Sequence, residues 1–180
     1  MSETGGGDSS GGEGAPRRRE VVLEPYDPAW AGLAAAWMER VREAGGDAIV
    51  EVHHIGSTSV PGMLAKPIID LMPGLRSFEA GAEIVEAMTA LGFEARGEFG
   101  IPRRHYFHRE DVHVHAFVPG EGQWQDQLDF RDYLREHEDA RAEYAALKRE
   151  LRERFRWDPQ TFSDHKSEFV AGILRRARAR

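Results

Sequence analysis

The sequence contains no cysteine and no long apolar run in its 180 residues. Disulfide bonds and thiolate metal sites are therefore excluded, which leaves histidine and the carboxylates as the strong metal ligands. No apolar stretch approaches the roughly 20 residues of a membrane-spanning helix, and the N-terminus lacks the apolar segment of a secretion signal. These absences predict a cytoplasmic protein with no membrane partner.

Positive charge is also scarce, since 24 lysines and arginines face 31 aspartates and glutamates and give a formal net charge of −7. An acidic surface repels the phosphate backbone, so general binding to nucleic acid is disfavoured. A small anionic ligand is compatible with this charge, provided that a local basic cleft receives it. No pattern in the sequence sets the oligomeric state.

The first 16 residues, MSETGGGDSSGGEGAP, are rich in glycine and serine and poor in apolar side chains. Such a segment cannot bury enough surface to offset the entropy lost on ordering. We therefore predict a disordered tail over residues 1–16. Residues 17–180 are predicted to form a single domain, which is long enough to bury a hydrophobic core without the help of disulfide bonds.

Within that domain the apolar periodicity alternates between strand-like and helix-like before it ends in helices. Strands are predicted at residues 20–26, 48–55, 67–72, 103–109 and 111–118. Helices are predicted at residues 27–46, 77–92, 123–137, 138–155 and 162–179. The last helix has Ser163 as a candidate N-cap. This order indicates an α/β (α+β) domain, in which helices flank a mixed β-sheet and the C-terminal third is helical.

The tetrapeptide Gly56-Ser57-Thr58-Ser59 follows the second predicted strand. Glycine permits a close backbone approach, and successive N–H groups beside hydroxyls form a concavity in which an anion such as phosphate binds. The same residue types are also ordinary turn formers, so the tetrapeptide alone does not separate a phosphate site from a plain turn.

Asp70 is a lone carboxylate in the strand that follows this turn. Strand alternation places its side chain opposite those of Ile69 and Leu71, and places His113 and His115 together on one face of a later strand. If the two strands are neighbours, one carboxylate and two imidazoles converge, which suits metal binding or proton transfer. The alternative is a pair of half-exposed histidines with no chemical role.

Five segments carry a resemblance to a known family: HIGSTSVPGMLAKPIID, RRHYF, HVHAF, FRDYLREH and EYAALKREL. In this order, from about Val21 to Phe169, the sequence resembles the GrpB-like family, whose fold is similar to the nucleotidyltransferase superfamily. In that superfamily a Gly-Ser turn holds a triphosphate, and an acidic pair on the next strand holds a divalent metal, Mg²⁺ or Mn²⁺. A later strand supplies a third acid.

By this resemblance, the Gly56-Ser57 pair matches the phosphate turn and Asp70 matches the first metal-binding acid. Met72 stands at the position of the second acid, and the later strand offers His113 and His115. The resemblance thus implies a nucleotidyltransferase-type enzyme that binds a nucleotide or another phosphorylated small molecule. Asp70 and His115 are its expected catalytic residues, and the expected metal ligands are Asp70, His113 and His115.

Several cations are further candidates for phosphate binding. Lys66 ends the turn loop, and the guanidinium groups of Arg103 and Arg104 can clamp phosphate oxygens, although a solvated hairpin edge is the alternative for both arginines. Lys166, early in the last predicted helix, could point into the same cleft. Lys148 has helical spacing and is predicted to pair or pack.

Two other functions are compatible with these residues. One is a metal-dependent enzyme of another class, such as a hydrolase or oxygenase, built on Asp70, His113 and His115. Its softer ligands would favour a transition metal such as Zn²⁺ or Ni²⁺ over Mg²⁺. The other is a non-catalytic module that binds a nucleotide or a coenzyme A-related molecule, with Met72 as a sign of lost activity.

Overall fold

The computed structural model describes residues 20–179, and the predicted tail at residues 1–16 lies outside this range. Strands in the described range are β1 (Ile49–Ile55), β2 (Ile69–Leu75), β3 (Glu94–Ala95), β4 (His105–His108) and β5 (Val112–Ala116). Its α-helices are α1 (Ala29–Gly45), α2 (Ala80–Glu83), α3 (Val85–Ala90), α4 (Trp124–Glu136), α5 (Glu138–Arg154), α6 (Pro159–Asp164) and α7 (Ser167–Arg178). Among these helices, none combines the length and the apolar character that crossing a bilayer requires.

The five strands form one sheet in the order β1-β2-β5-β4-β3. Only the β2–β5 pair is parallel among these strands, so the sheet is mixed, and the helices flank it and fill the C-terminal third. The predicted fold class is confirmed. In the parallel pair Asp70 lies opposite His113, so the strand that carries Asp70 and the strand that carries the two histidines are neighbours.

The two faces of the sheet have different partners. One face packs against α1, with Leu71 and Val114 in the same apolar cluster as Trp37. On the other face, Met72 packs with Trp124 at the start of α4. Because alternate residues of β2 point to opposite faces, Asp70 shares the second face with Met72 and points toward the C-terminal helices.

Two predicted elements differ from the structure. Residues 20–26 were expected to form a strand, but only Glu24 pairs, through two backbone hydrogen bonds to Ala65 of 2.8 and 3.0 Å. This segment runs along the turn loop instead of adding to the sheet. The helix predicted at 77–92 is divided into α2 and α3 at Ile84, and a short unpredicted strand, β3, follows it.

The last predicted helix is also two helices, α6 and α7. Asp158 caps α6, since its Oδ1 accepts a hydrogen bond of 3.0 Å from the Thr161 amide, and proline follows it at the first helical position. Ser163 therefore lies inside α6 and is not the N-cap that we predicted. The break after α6 places Lys166 directly before α7, where its side chain reaches the site.

Candidate functional site

The turn at Gly56 lies against the carboxylate of Asp70. Gly56 has a φ of 68°, a conformation that favours glycine, and a Cβ atom added there would collide with the Asp70 carboxylate. Residues 57–59 then form one turn of 3₁₀ helix. Glycine is therefore required here by both the backbone conformation and the close approach of β2.

The hydroxyls of the turn have different roles. Thr58 is buried and donates to the Ile68 carbonyl (3.1 Å), while Ser59 donates to the Gly56 carbonyl (2.6 Å), so both brace the turn from inside. Thr58 also accepts from His54 Nε2 at 3.0 Å. Burial lowers the pKa of His54 to about 4, so this imidazole is neutral. The Ser57 hydroxyl makes neither of these bracing contacts, and its oxygen accepts a hydrogen bond from Lys148 instead.

Asp70, His113 and His115 converge on the sheet face that points toward the C-terminal helices. Asp70 Oδ1 lies 3.2 Å from His115 Nε2 and 3.6 Å from His113 Nδ1, and one potential ligand atom from each residue falls within 4.8 Å of the others. Burial acts to raise the pKa of the Asp70 carboxyl, but the adjacent imidazoles of His113 and His115 outweigh it and hold that pKa below the usual range. The carboxylate is therefore charged at neutral pH.

The donor set of this cluster fits some divalent ions better than others. Mg²⁺ prefers oxygen ligands, and Met72, fully buried at the expected second acidic position, offers none. One carboxylate with imidazole nitrogens is a set that Mn²⁺, Fe²⁺ or Zn²⁺ accepts more readily. Among the described residues, this is the group of three His and carboxylate side chains that could hold a metal ion.

The predicted arginines do not reach the cleft. Arg103 pairs with Glu121 and lies over the ring of Phe78, with its guanidinium carbon 4.5 Å from the ring centroid. Arg104 is only 5% exposed, and it donates to backbone carbonyls and to His115 Nδ1 (3.1 Å). The geometry brings neither side chain to the cavity at the turn.

Three lysines occupy the place expected for those arginines. A cavity of 280 Å³ opens between the turn, β2, β5 and the C-terminal helices, and we call it the three-lysine cavity. Its lining includes Ser57, Thr58, Asp70, His113, His115, Lys66, Lys148 and Lys166. The Nζ atoms of Lys66 and Lys166 lie 4.5 and 5.0 Å from the centroid of the same buried ring, Phe162.

Lys148 reaches the turn from helix α5. Its side chain is 2% exposed, and Nζ donates to Ser57 Oγ at 3.0 Å and to the Leu64 carbonyl. Burial, with Lys166 as a nearby like charge, lowers the pKa of Lys148 to about 6. Burial also lowers the pKa of Lys166 to about 8, with a contribution from Lys66. The cavity thus concentrates positive charge that is poorly compensated.

A second cavity of 550 Å³ adjoins the first and shares Ser57, Asp70 and Lys166 with it. Its walls come mainly from α4 and α7, and they combine aromatic and aliphatic side chains with amides. These include Phe130, Tyr144, Val170, Leu174, Gln123 and Gln127. A ligand could therefore extend from the lysines past Asp70 into a chamber that adds one further charged side chain, Asp126, to its apolar and amide lining.

Comparison with known proteins shows the family of this chain. The family model described as GrpB protein matches residues 20–176. The chain belongs to the GrpB family. This GrpB-family chain is 42% identical over 141 residues to the UPF0157 protein YqkA of Bacillus subtilis. The match covers 76% of this chain and 40% of that protein. It is 38% identical over 166 residues to the UPF0157 protein SCO7215 of Streptomyces coelicolor, covering 92% and 89%.

The chain thus spans less than half of the Bacillus relative and most of the Streptomyces one. Among solved structures, it superposes on the conserved protein GrpB from Enterococcus faecalis with a TM-score of 0.81 and 29% identity, covering 87% of this chain and 96% of that one. A weaker likeness is to Cid1 in complex with the UTP analog UMPNPP, with a TM-score of 0.48 and 13% identity over 73% of this chain and 41% of that one.

Sequence reasoning missed the position of Lys148 in this GrpB-family chain. We predicted that it would pair or pack, yet it lies at the centre of the site beside Ser57. One signal was available in the composition, because the whole chain contains only three lysines among its 24 basic residues. All three line one cavity.

Proposed function

We propose that this protein is a nucleotidyltransferase-type enzyme, and that the three-lysine cavity binds the phosphate groups of a nucleotide or of another phosphorylated small molecule. The observation that carries the proposal is the placement of every lysine of the chain around this cavity. Arginine serves everywhere else as the basic residue. A compact ammonium group suits a tight cavity in which several cations must approach the same phosphate oxygens.

The electrostatics of the cavity support an anionic ligand. Lys66 and Lys166 approach the same ring of Phe162, and the charge of Lys66 helps to lower the pKa of Lys166. Buried cations without compensating anions are costly, and Asp70 alone cannot balance both Lys66 and Lys166. A phosphate group would supply the missing negative charge and accept hydrogen bonds from the ammonium groups and from the Ser57 hydroxyl.

In this proposal the second cavity receives the uncharged part of the ligand. Phe130 offers a face on which a planar base can pack, and Gln123 and Gln127 offer donors and acceptors for its polar edge. Because the two cavities meet at Ser57 and Asp70, the reacting phosphate would lie at their junction, next to the carboxylate.

A divalent ion at Asp70 completes the proposal, with His113 as its second ligand. Such an ion, when bound, neutralises charge that develops on phosphate oxygens. The carboxylate itself is kept ionised by its imidazole neighbours, and Ser57, which lines the same cavity, would offer its hydroxyl to the phosphate. The nitrogen ligands favour Mn²⁺ or Zn²⁺ over Mg²⁺, so a metal-dependent enzyme of another class is the second candidate function.

A thermal-shift screen tests the proposal, because a ligand that binds only the folded state raises the melting temperature. Pyrophosphate, nucleoside triphosphates, sugar phosphates and coenzyme A are each added with and without Mg²⁺, Mn²⁺ and Zn²⁺. We expect a shift from phosphate compounds that Mn²⁺ enlarges. Asp70→Asn should keep the metal-free shift, since it removes a negative charge, and should lose the metal-dependent increment.

Two other outcomes point elsewhere. A shift from Zn²⁺ or Ni²⁺ alone, unaffected by phosphate compounds, would favour the metal-dependent enzyme of another class. Binding of a nucleotide or coenzyme A with no turnover under any of the metals would favour a non-catalytic module. No shift from any phosphate compound would contradict the proposal.

Chemical labelling provides an independent measurement, because all three lysines of the chain line this cavity. Amine-directed reagents therefore report on these side chains and on the N-terminal amine. Acetic anhydride is applied near pH 8 with and without pyrophosphate, and peptide mass spectrometry follows acetylation of Lys66 and Lys166. We expect pyrophosphate to slow the labelling of both lysines at least several-fold. The N-terminal amine is the internal control, and equal protection of all amines would show that pyrophosphate acts outside the cavity.

A further inference from the structure

Arg104 is held rigidly behind the metal-type cluster. Its guanidinium donates from Nε and Nη2 to the Glu98 carbonyl (3.2 and 3.1 Å) and from Nη2 to the Phe99 carbonyl (2.9 Å). The same group lies over the ring of Tyr106, 4.6 Å from its centroid. Three hydrogen bonds and a buried position fix the guanidinium plane, so the direction of the remaining nitrogen, Nη1, is fixed too.

That remaining nitrogen lies 3.1 Å from Nδ1 of His115. A guanidinium has donors only and does not lose its proton in proteins, so it cannot accept a hydrogen bond from the imidazole. Nδ1 of His115 must therefore present its lone pair to Arg104. In the neutral ring the single proton is then on Nε2, which lies 3.2 Å from Asp70 Oδ1 and donates to it.

We infer that Arg104 fixes His115 as the Nε2–H tautomer, which makes His115 a positioning residue for the Asp70 carboxylate and excludes it as a metal ligand. A metal-binding histidine needs a lone pair on the nitrogen that faces the ion, and its other nitrogen normally donates to a carbonyl or carboxylate. His115 has the opposite arrangement, because its Nδ1 accepts a hydrogen bond from Arg104 and its Nε2, which faces Asp70, carries the proton. The sequence-based assignment of His115 to the metal is revised accordingly.

His113 lacks this constraint. Its Nδ1 is 3.6 Å from Asp70 Oδ1, beyond hydrogen-bond distance, and the described hydrogen bonds of Arg104 do not include it. A divalent ion would therefore be held by Asp70 and His113, with ligand oxygens or water completing its shell. The inference concerns the same site as the proposed function, but it rests on the contacts of Arg104 and is tested without any substrate.

Nuclear magnetic resonance of the protein labelled with ¹⁵N-histidine tests the inference directly. At about pH 8 an ordinary imidazole is neutral, and the shifts of its two nitrogens identify which one carries the proton. The His115 signals are assigned by their loss in His115→Gln. We expect the Nε2–H pattern in the wild-type protein, and no change of it when Zn²⁺ is added. An Nδ1–H pattern, or loss of the Nε2 proton on adding Zn²⁺, would overturn the inference.

Metal affinity gives the second arm of the experiment, with two matched glutamine variants. His113→Gln should weaken Zn²⁺ or Mn²⁺ binding at least tenfold, whereas His115→Gln, which leaves the ligands in place, should change it less than threefold. A larger loss in His115→Gln than in His113→Gln would also overturn the inference. If the wild-type protein binds neither ion, the proposed metal fails, while the tautomer measured in the first arm still decides the role of Arg104.

Discussion

Replacing Lys148 with methionine is expected to stabilise the folded protein by about 3 kcal/mol at pH 7, although it removes a central residue of the candidate site. Burial lowers the pKa of Lys148 from its ordinary 10.5 to about 6. At 1.36 kcal/mol for each pH unit, keeping the amine neutral at pH 7 costs about 5 kcal/mol. Its hydrogen bonds to Ser57 and Leu64 offset about 1 kcal/mol each. Methionine fills a similar volume without that cost.

The pH dependence of stability provides the sharper measurement. Between about pH 6 and 10.5 the unfolded chain holds a proton on Lys148 that the folded chain has lost. Because the unfolded state binds more protons, the free energy of unfolding rises with pH in this window. Urea denaturation from pH 6 to 9 should show this rise in the wild-type protein and a flatter profile in Lys148→Met.

Arg154→Met is the matched control, since Arg154 lies in the same helix α5 and its side chain is exposed. Its effect should stay within about 0.5 kcal/mol and leave the pH profile unchanged. A destabilised Lys148→Met variant with the wild-type pH profile would show that Lys148 is charged in the folded protein. If Lys148→Met stabilises the protein, the lysine lowers stability in the wild-type protein, which is expected of a residue that is retained for binding.

Replacing Lys166 with methionine is expected to weaken pyrophosphate binding at pH 7 by roughly 10- to 100-fold, because a charge-assisted hydrogen bond is worth about 1.5–3 kcal/mol. With a pKa of about 8, Lys166 is largely protonated at pH 7 in the free protein. Its charge is lost as the pH rises through that value, so the affinity of the wild-type protein should fall above pH 8. Isothermal titration calorimetry at several pH values measures both effects.

The control for Lys166 is Arg175→Met, which removes one exposed positive charge from the same helical region without touching the cavity. Its affinity for pyrophosphate should stay within about twofold of the wild-type value, because an exposed charge is screened by solvent and salt. Equal losses of pyrophosphate affinity in both variants would mean that the anion is attracted by the overall positive charge of the C-terminal helices. In that case the three-lysine cavity would not be the binding site.

Much of the site could be anticipated from local sequence. The glycine turn and the alternation around Asp70 follow from short-range chemistry, and so does the common face of His113 and His115. Local sequence patterns could not predict which strands pair with each other in the sheet. The parallel register of β2 with β5, which brings Asp70 beside His113, depends on contacts between residues more than 40 positions apart in the chain.

The cations show the limit of local reasoning most clearly. Arg103 and Arg104 lie next to each other and were expected to serve phosphate together, yet Arg103 pairs with Glu121 and Arg104 is buried behind His115. Lys148 has the spacing of a packing residue on α5 and instead reaches Ser57 across 91 positions of sequence. Helical spacing defines which side of a helix a residue occupies, but not what that side faces.

By itself, the sequence of this protein determined the fold class, the family resemblance, the turn at Gly56 and the ionisable groups that can perform chemistry. The tertiary structure alone decided which of those groups meet. Secondary structure follows from interactions between near neighbours, whereas a functional cavity forms where the sheet and the C-terminal helices bury one another. For that reason the three lysines, far apart in the chain, surround one cavity and the two predicted arginines do not.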